Sequence, residues 1–212
     1  MVRLFAAIAV MLLAVILTGA AEGPHPSLPR LAAQTNPTPA QSAPTAGQGQ
    51  MLGKLAATPP EVIYDLSLLP APVARLREQI IEAARSGDIE RLRPILDGNG
   101  ITPVFSFGGD TDAIQFWKDV SGDGEGRELL AIMIEVFEAG FVRVKHDGPS
   151  EIYVWPYFAE VPLSGLSPEQ QVELYKLVTA QDVKDMEEFG AYIFYRAGIT
   201  PDGQWQFFVA GD

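Results

Sequence analysis

The 212-residue chain contains no cysteine and only two histidines. The absence of cysteine excludes disulfides, thiolate metal sites, iron–sulfur clusters and a cysteine nucleophile. Only one histidine, His146, falls in the region predicted below to fold, which excludes a zinc site built on two or three histidines. The chain also has neither a glycine-rich phosphate loop nor a nucleophile-elbow serine, so nucleotide-dependent and serine-hydrolase chemistry are not expected.

Positive charge is scarce as well. The chain has 15 lysine and arginine residues against 27 acidic ones, a net charge of −12. Non-specific nucleic-acid binding depends on clustered lysine and arginine. We therefore expect no nucleic-acid partner.

Residues 1–21 have the three parts of an export signal. Arg3 supplies the positive start, residues 4–17 form an uninterrupted apolar run, and residues 18–21 are small enough for cleavage. The alternative is an uncleaved anchor, but the fourteen-residue apolar run is shorter than the ~20 residues that span a bilayer. We predict a periplasmic or secreted protein with no membrane span once the signal is removed.

Residues 22–60 are rich in proline, alanine and glutamine, with eight prolines and a single acid, Glu22. A segment with few aromatic or β-branched residues buries too little apolar surface to fold, so we predict a disordered tether. Without residues 1–60, the remaining 61–212 holds 12 basic and 26 acidic residues, a net charge of −14. We interpret 61–212 as one strongly acidic domain.

Within 61–212, apolar residues recur at helical spacing in several segments. We predict helices over 72–84, over 89–96 with a bend at Pro94, after a cap at Asp110, over 128–139, and from the capping-box sequences Ser167–Gln170 and Thr179–Asp182. Extended segments are predicted at 101–107, 141–145, 151–158, 191–199 and 204–210, with a turn at 146–149. The predicted fold class is α+β, with a small antiparallel sheet of about four strands packed by helices. Pro156 lacks a ladder amide and predicts an edge strand or a bulge.

The last two strands should form a hairpin around Pro201–Gly203. A three-residue loop with glycine in the left-handed position sets the pairing, which we predict to be Ile199 with Trp205, Ala197 with Phe207, and Tyr195 with Val209. This register turns one wholly apolar face inward. It leaves Phe208 on the opposite face, where something else would have to cover it.

Two resemblances accompany this pattern. The ending Trp205-Gln206-Phe207-Phe208-Val209-Ala210-Gly211-Asp212 resembles that of an uncharacterised family of secreted bacterial proteins, which implies no activity. The helix pair around Ser86-Gly87-Asp88, with the strands and the terminal hairpin, is similar to the nuclear transport factor two-like cone fold. That similarity implies a cone-shaped sheet, although residues 160–190 interrupt strands that such folds keep consecutive.

The strands carry a dense set of aromatic residues. Amphipathic rings on a concave sheet would suit a sugar or another flat ligand, and the candidates are Trp155, Tyr157, Tyr195 and Trp205. The alternative is that they form the core, since aromatic residues favour sheets.

One loop matches the opening of a calcium-binding loop. Asp119, Ser121 and Asp123 occupy its positions 1, 3 and 5, with Gly124 at position 6. Position 12 is a leucine, so Glu128 would have to supply the last ligand. The alternative is an acidic turn that stabilises the start of the following helix. Calcium is the only cofactor that the sequence suggests.

We interpret the protein as an exported cell-envelope protein whose domain binds or scaffolds an envelope protein or a small ligand. The alternative is a metal-independent hydrolase or isomerase that uses carboxylates in a cone-shaped pocket. Its candidate acids are Asp110 and Asp112, which lie close together, and Glu135, which has apolar neighbours.

The export interpretation can be tested by expressing the full chain in a bacterium and measuring the intact mass of the mature protein. We expect the mass of a chain that begins close to residue 22. A mass that includes Met1 would show that residues 1–21 are retained.

Overall fold

The computed structural model describes residues 59–145 and 151–211, which form six α-helices and one four-stranded antiparallel sheet. The predicted export signal, nearly all of the predicted tether and the turn at 146–149 lie outside the described residues. The α+β prediction is confirmed.

The helices precede the sheet or interrupt it. They are α1 (Ala71–Arg85), α2 (Arg93–Gly98), α3 (Ala113–Val120), α4 (Arg127–Glu138), α5 (Pro168–Leu177) and α6 (Ala180–Phe189). Three short 3-10 turns accompany them, at Leu66–Leu68, Ile89–Leu92 and Tyr157–Ala159. In the described ranges, no helix is both long and apolar enough to cross a membrane.

The strands are β1 (Val142–Lys145), β2 (Glu151–Trp155), β3 (Arg196–Ile199) and β4 (Trp205–Val209). They lie in the order β1-β2-β3-β4, and each neighbouring pair is antiparallel. Helices α5 and α6 form the connection between β2 and β3, as the predicted helical interruption required.

Side-chain caps start the helices where the sequence allows them. The capping boxes at Ser167 and Thr179 are confirmed, since each side chain accepts from the third helical amide, in residues Gln170 and Asp182 respectively. The cap of α3 is Asp112 and not Asp110, because the Asp112 carboxylate accepts the amides at the helix start.

Pro94 and Pro156 both lie at boundaries of secondary-structure elements. The predicted helix over 89–96 is instead a 3-10 turn followed by α2, and Pro94 lies in the first turn of α2, where no amide is needed. The edge-strand prediction from Pro156 is wrong, because β2 lies inside the sheet. The strand ends at Trp155, so the missing amide of Pro156 costs no ladder bond.

The hairpin register agrees with the prediction next to the turn and then changes. Ile199 pairs with Trp205, but Gly198 pairs with Phe207 and Ala197 with Phe208, so β4 contains a bulge at Gln206. The bulge moves Phe208 to the core face and Phe207 to the other. The amide of Val104 donates to the Gln206 carbonyl at 2.8 Å.

Packing on both faces explains the bulge. The Phe208 ring lies 5.8 Å from Trp117 of α3 and 5.0 Å from Tyr195, centroid to centroid, and is fully buried. On the opposite face, the Phe207 ring covers Gly198, where a Cβ would collide with it. The register is therefore set by contacts with distant residues, which the two strands alone do not reveal.

The predicted register and the observed, bulged register lead to opposite expectations for alanine substitutions at Phe207 and Phe208. We expect Phe208→Ala to lower the free energy of unfolding by about 3–5 kcal/mol, the usual cost of removing a buried ring. Phe207→Ala, at a partly buried position, should cost less than half as much. Urea unfolding of both variants measures the difference, and a larger loss for Phe207→Ala would support the unbulged register.

Candidate functional site

The four predicted ligand-binding aromatics contribute mainly to the core. Trp155, Tyr157 and Trp205 are fully buried, and Tyr195 is partly buried. The Trp155 ring packs 5.1 Å from Phe141, centroid to centroid, in the core beneath the sheet. The structure therefore places these rings inside the domain, where a ligand would have to displace the core to reach them.

Tyr195 lies at the edge of this core. Its ring stacks on Phe208 at 5.0 Å, and its backbone carbonyl accepts the Tyr192 hydroxyl at 3.1 Å. Burial, with a smaller contribution from the charge of Glu128, raises the pKa of Tyr195 to about 12. Its hydroxyl is therefore protonated at neutral pH.

The predicted calcium loop is held together by its own hydrogen bonds. Asp119 turns back to accept Gln115 Nε2 at 2.7 Å. Asp123 accepts the Ser121 hydroxyl at 2.5 Å and the Arg127 amide at 3.2 Å. The Ser121 hydroxyl bond, ahead of the backbone amides, lowers the pKa of Asp123.

Glu128 accepts the Gly122 amide at 2.6 Å, so its carboxylate also stabilises the loop. Asp119, Asp123 and Glu128 do not form a group that could hold a metal ion, and no other acidic or histidine cluster of that kind occurs in 59–145 and 151–211. The geometry matches the alternative interpretation, an acidic turn at the start of α4.

A different carboxylate lies at the junction of several elements. Glu173 of α5 accepts the hydroxyls of Tyr64 and Tyr157 on Oε2, at 2.8 and 3.1 Å, and the Gly140 amide on Oε1 at 2.9 Å. Burial, followed by the contacts with Tyr64 and Glu173, raises the pKa of Tyr157 far above its usual range. This cluster fastens the segment 59–69 to α5 and to the turn after α4.

The cluster has little capacity for catalysis. Both oxygens of Glu173 already accept hydrogen bonds, and Tyr157 is fully buried. Neither Glu173 nor Tyr157 lines either of the two surface grooves described next. We interpret the cluster as structural.

The first groove runs along α1. It has a volume of about 530 Å³ and lies between the 66–69 segment, α1 and the end of α4. Its apolar lining residues are Leu66, Leu69, Ala74 and Ile81, and its charged ones are Arg77, Glu78, Glu82, Arg85 and Glu138. This size is within the range of small-molecule and peptide sites.

Two arginines of the groove differ in their bonding. Arg85 pairs with Glu138 at 2.7 Å, and both side chains are largely exposed. Arg77 is half-buried and donates Nε and Nη2 to the Phe137 carbonyl, at 2.9 and 2.6 Å, near the end of α4. Burial lowers the pKa of Arg77, with smaller contributions from nearby charges.

The second groove, of about 520 Å³, lies between α1, α2 and the β3–β4 turn. Its most buried polar residue is Asn99. Asn99 Nδ2 donates to the Ile101 and Trp205 carbonyls, and its Oδ1 accepts the Trp205 amide at 2.7 Å. Because these bonds occupy the amide group, the second groove offers a ligand less than the first.

No protein-family model, curated protein or solved structure matches this chain. The similarity to the nuclear transport factor two-like fold and to the family of secreted proteins therefore stays a prediction.

The sequence reasoning missed the α1 groove and the Glu173 cluster. The groove stripe on α1 mixes charged and apolar residues, a pattern that is also typical of a solvated helix face. The three partners of Glu173 come from three other parts of the chain, so no local motif marks them.

The two interpretations of the 119–128 loop differ in their response to calcium. We expect Asp123→Ala to destabilise the domain by about 1 kcal/mol, because the amides at the start of α4 lose their acceptor. Thermal unfolding should give this loss equally in calcium and in EGTA. A stabilisation of the unaltered protein by calcium that Asp123→Ala abolishes would instead establish a calcium site.

Proposed function

We propose that the protein is an exported cell-envelope protein whose folded domain binds a partner through the groove along α1. The observation that carries the proposal is an exposed apolar border on that groove. Leu66, a lining residue, is 43% exposed, and Leu68 and Tyr64 beside it are 63% and 57% exposed. Exposed apolar residues that adjoin a groove are typical of interaction sites.

Because the core is filled, a binding site is more readily placed on the surface of the domain than inside it. Aromatic side chains occupy the inner face of the sheet, and the two grooves described above lie on the surface of the domain. A domain of this kind is better suited to binding a partner than to enclosing a small molecule.

A carboxylate-dependent hydrolase or isomerase is less well supported. Asp110 accepts the Ser106 hydroxyl at 2.6 Å, and Asp112 caps α3. Both acids have local structural roles, and neither lines the α1 groove or the second groove described above.

The proposal can be tested by site-specific photo-crosslinking in the cells that produce the protein. A benzophenone amino acid replaces Glu78, which is exposed in the groove, or Val172, which is exposed on α5. We expect a discrete crosslinked product from position 78 and not from position 172.

A second substitution then tests whether the groove itself binds the partner. Leu66→Glu should reduce the yield from position 78 about tenfold, because binding loses an apolar contact and must bury a charge. Val120→Glu is the matched control, since Val120 is 44% exposed and lies outside both grooves. Equal yields from positions 78 and 172, or an equal effect of the two substitutions, would contradict the proposal.

A further inference from the structure

Arg77 has unused donors in the α1 groove. Its Nε and Nη2 atoms donate to the Phe137 carbonyl, while Nη1 has no hydrogen bond to any residue in 59–145 or 151–211. Among the described residues its only acceptor is thus a neutral carbonyl, although a half-buried guanidinium is best compensated by a carboxylate.

Other arginines of this acidic domain do have a carboxylate partner. Arg85 lies 2.7 Å from Glu138, Arg93 2.9 Å from Glu90, and Arg127 3.7 Å from Asp123. In the described part of the chain, no carboxylate lies within 4.0 Å of Arg77. Glu138, which is paired with Arg85, and Glu78 act on Arg77 only at longer range.

The groove is elongated. Its α1 residues follow one stripe of the helix: Ala74, Arg77, Glu78, Ile81, Glu82 and Arg85. From the first to the last of these, α1 rises roughly 16 Å at 1.5 Å per residue. An extended peptide covers that length with about five residues, at roughly 3.3 Å each.

We infer that the α1 groove binds an extended apolar peptide segment of the partner, and that Arg77 receives a carboxylate of that segment. The apolar side chains of the peptide contact Leu66, Leu69 and Ala74, and its carboxylate meets the Nη1 group. This inference rests on the proposed function, since it names the chemistry of the partner at the same site.

The remaining charges of the groove favour a single carboxylate over a phosphate. Glu78, Glu82 and Glu138 give the groove more negative than positive charge, so a doubly charged phosphate would be repelled more strongly than a carboxylate. Arg77 is also held in place by the Phe137 carbonyl before the ligand arrives, which reduces the entropy lost on binding.

The test uses the full-length protein labelled with ¹⁵N and two libraries of N-acetylated, C-amidated pentapeptides. The outer positions hold alanine, leucine, valine or phenylalanine, and the central position holds glutamate in one library and glutamine in the other. Amide chemical shifts of residues 66–69 and 74–85 report binding in the groove. We expect the glutamate library to bind about tenfold more tightly than the glutamine library.

Variants then assign the preference to Arg77. Arg77→Gln should abolish it, and Arg77→Lys should retain part of it, because lysine keeps the charge but loses the fork geometry. Arg143→Gln is the control, since Arg143 is exposed on β1 and lines neither groove, and it should leave the preference intact. Since Arg77 also supports α4, the comparison of the two libraries on the unaltered protein tests the inference without any risk of misfolding.

Three results would overturn the inference. Equal binding of both libraries would show that no carboxylate is recognised, while the partner-binding function would stand. Loss of the preference in Arg143→Gln as well would show that the preference does not come from Arg77. Absence of shifts in the groove with either library would exclude a peptide of this class, and the crosslinking experiment would still decide the proposed function independently.

Discussion

Aromatic packing between the sheet and helices α3 and α4 is the constraint on which the rest of the domain depends. Trp205 and Phe208 of β4 both lie within 6 Å of Trp117 in α3, centroid to centroid, and Trp155 of β2 lies 5.5 Å from Phe137 in α4. The bulge in β4 brings Phe208 inward beside Trp205, so that both rings pack on Trp117, and turns Phe207 to the other face. The same packing fills the inner face of the sheet with buried aromatic rings.

Two polar contacts then shape that surface. Glu173 holds the segment that carries Tyr64 against α5, and Arg77 joins α1 to the end of α4 through the Phe137 carbonyl. Together they fix two walls of the α1 groove without occupying it. A groove whose walls are fixed by hydrogen bonds loses little conformational entropy when a ligand enters.

Several acids of the domain lie at the starts of helical segments. Asp65, Asp88 and Asp112 each accept a backbone amide at the start of a helical segment, and Asp123 does so before α4. Negative charge at these positions also interacts favourably with the helix dipole. The acids of the 119–128 loop belong to this pattern, which accounts for its resemblance to a calcium loop in a place where the side chains serve the backbone.

Local patterns in the sequence determined the α+β class, most helix positions, both capping boxes and the turn residues at 201–203, because each depends on neighbours within a few positions of the chain. Tertiary packing decided the rest. The bulge at Gln206 brings Phe208 onto Trp117 of α3, and the partners of Glu173 come from elements up to 109 residues apart. In the sequence, Arg77 cannot be distinguished from other polar positions on a helix face. Its place in the groove depends on the packing of α4 and the 66–69 segment beside it. The candidate site could not be found from spacing alone, because its walls come from three segments that only the folded chain brings together.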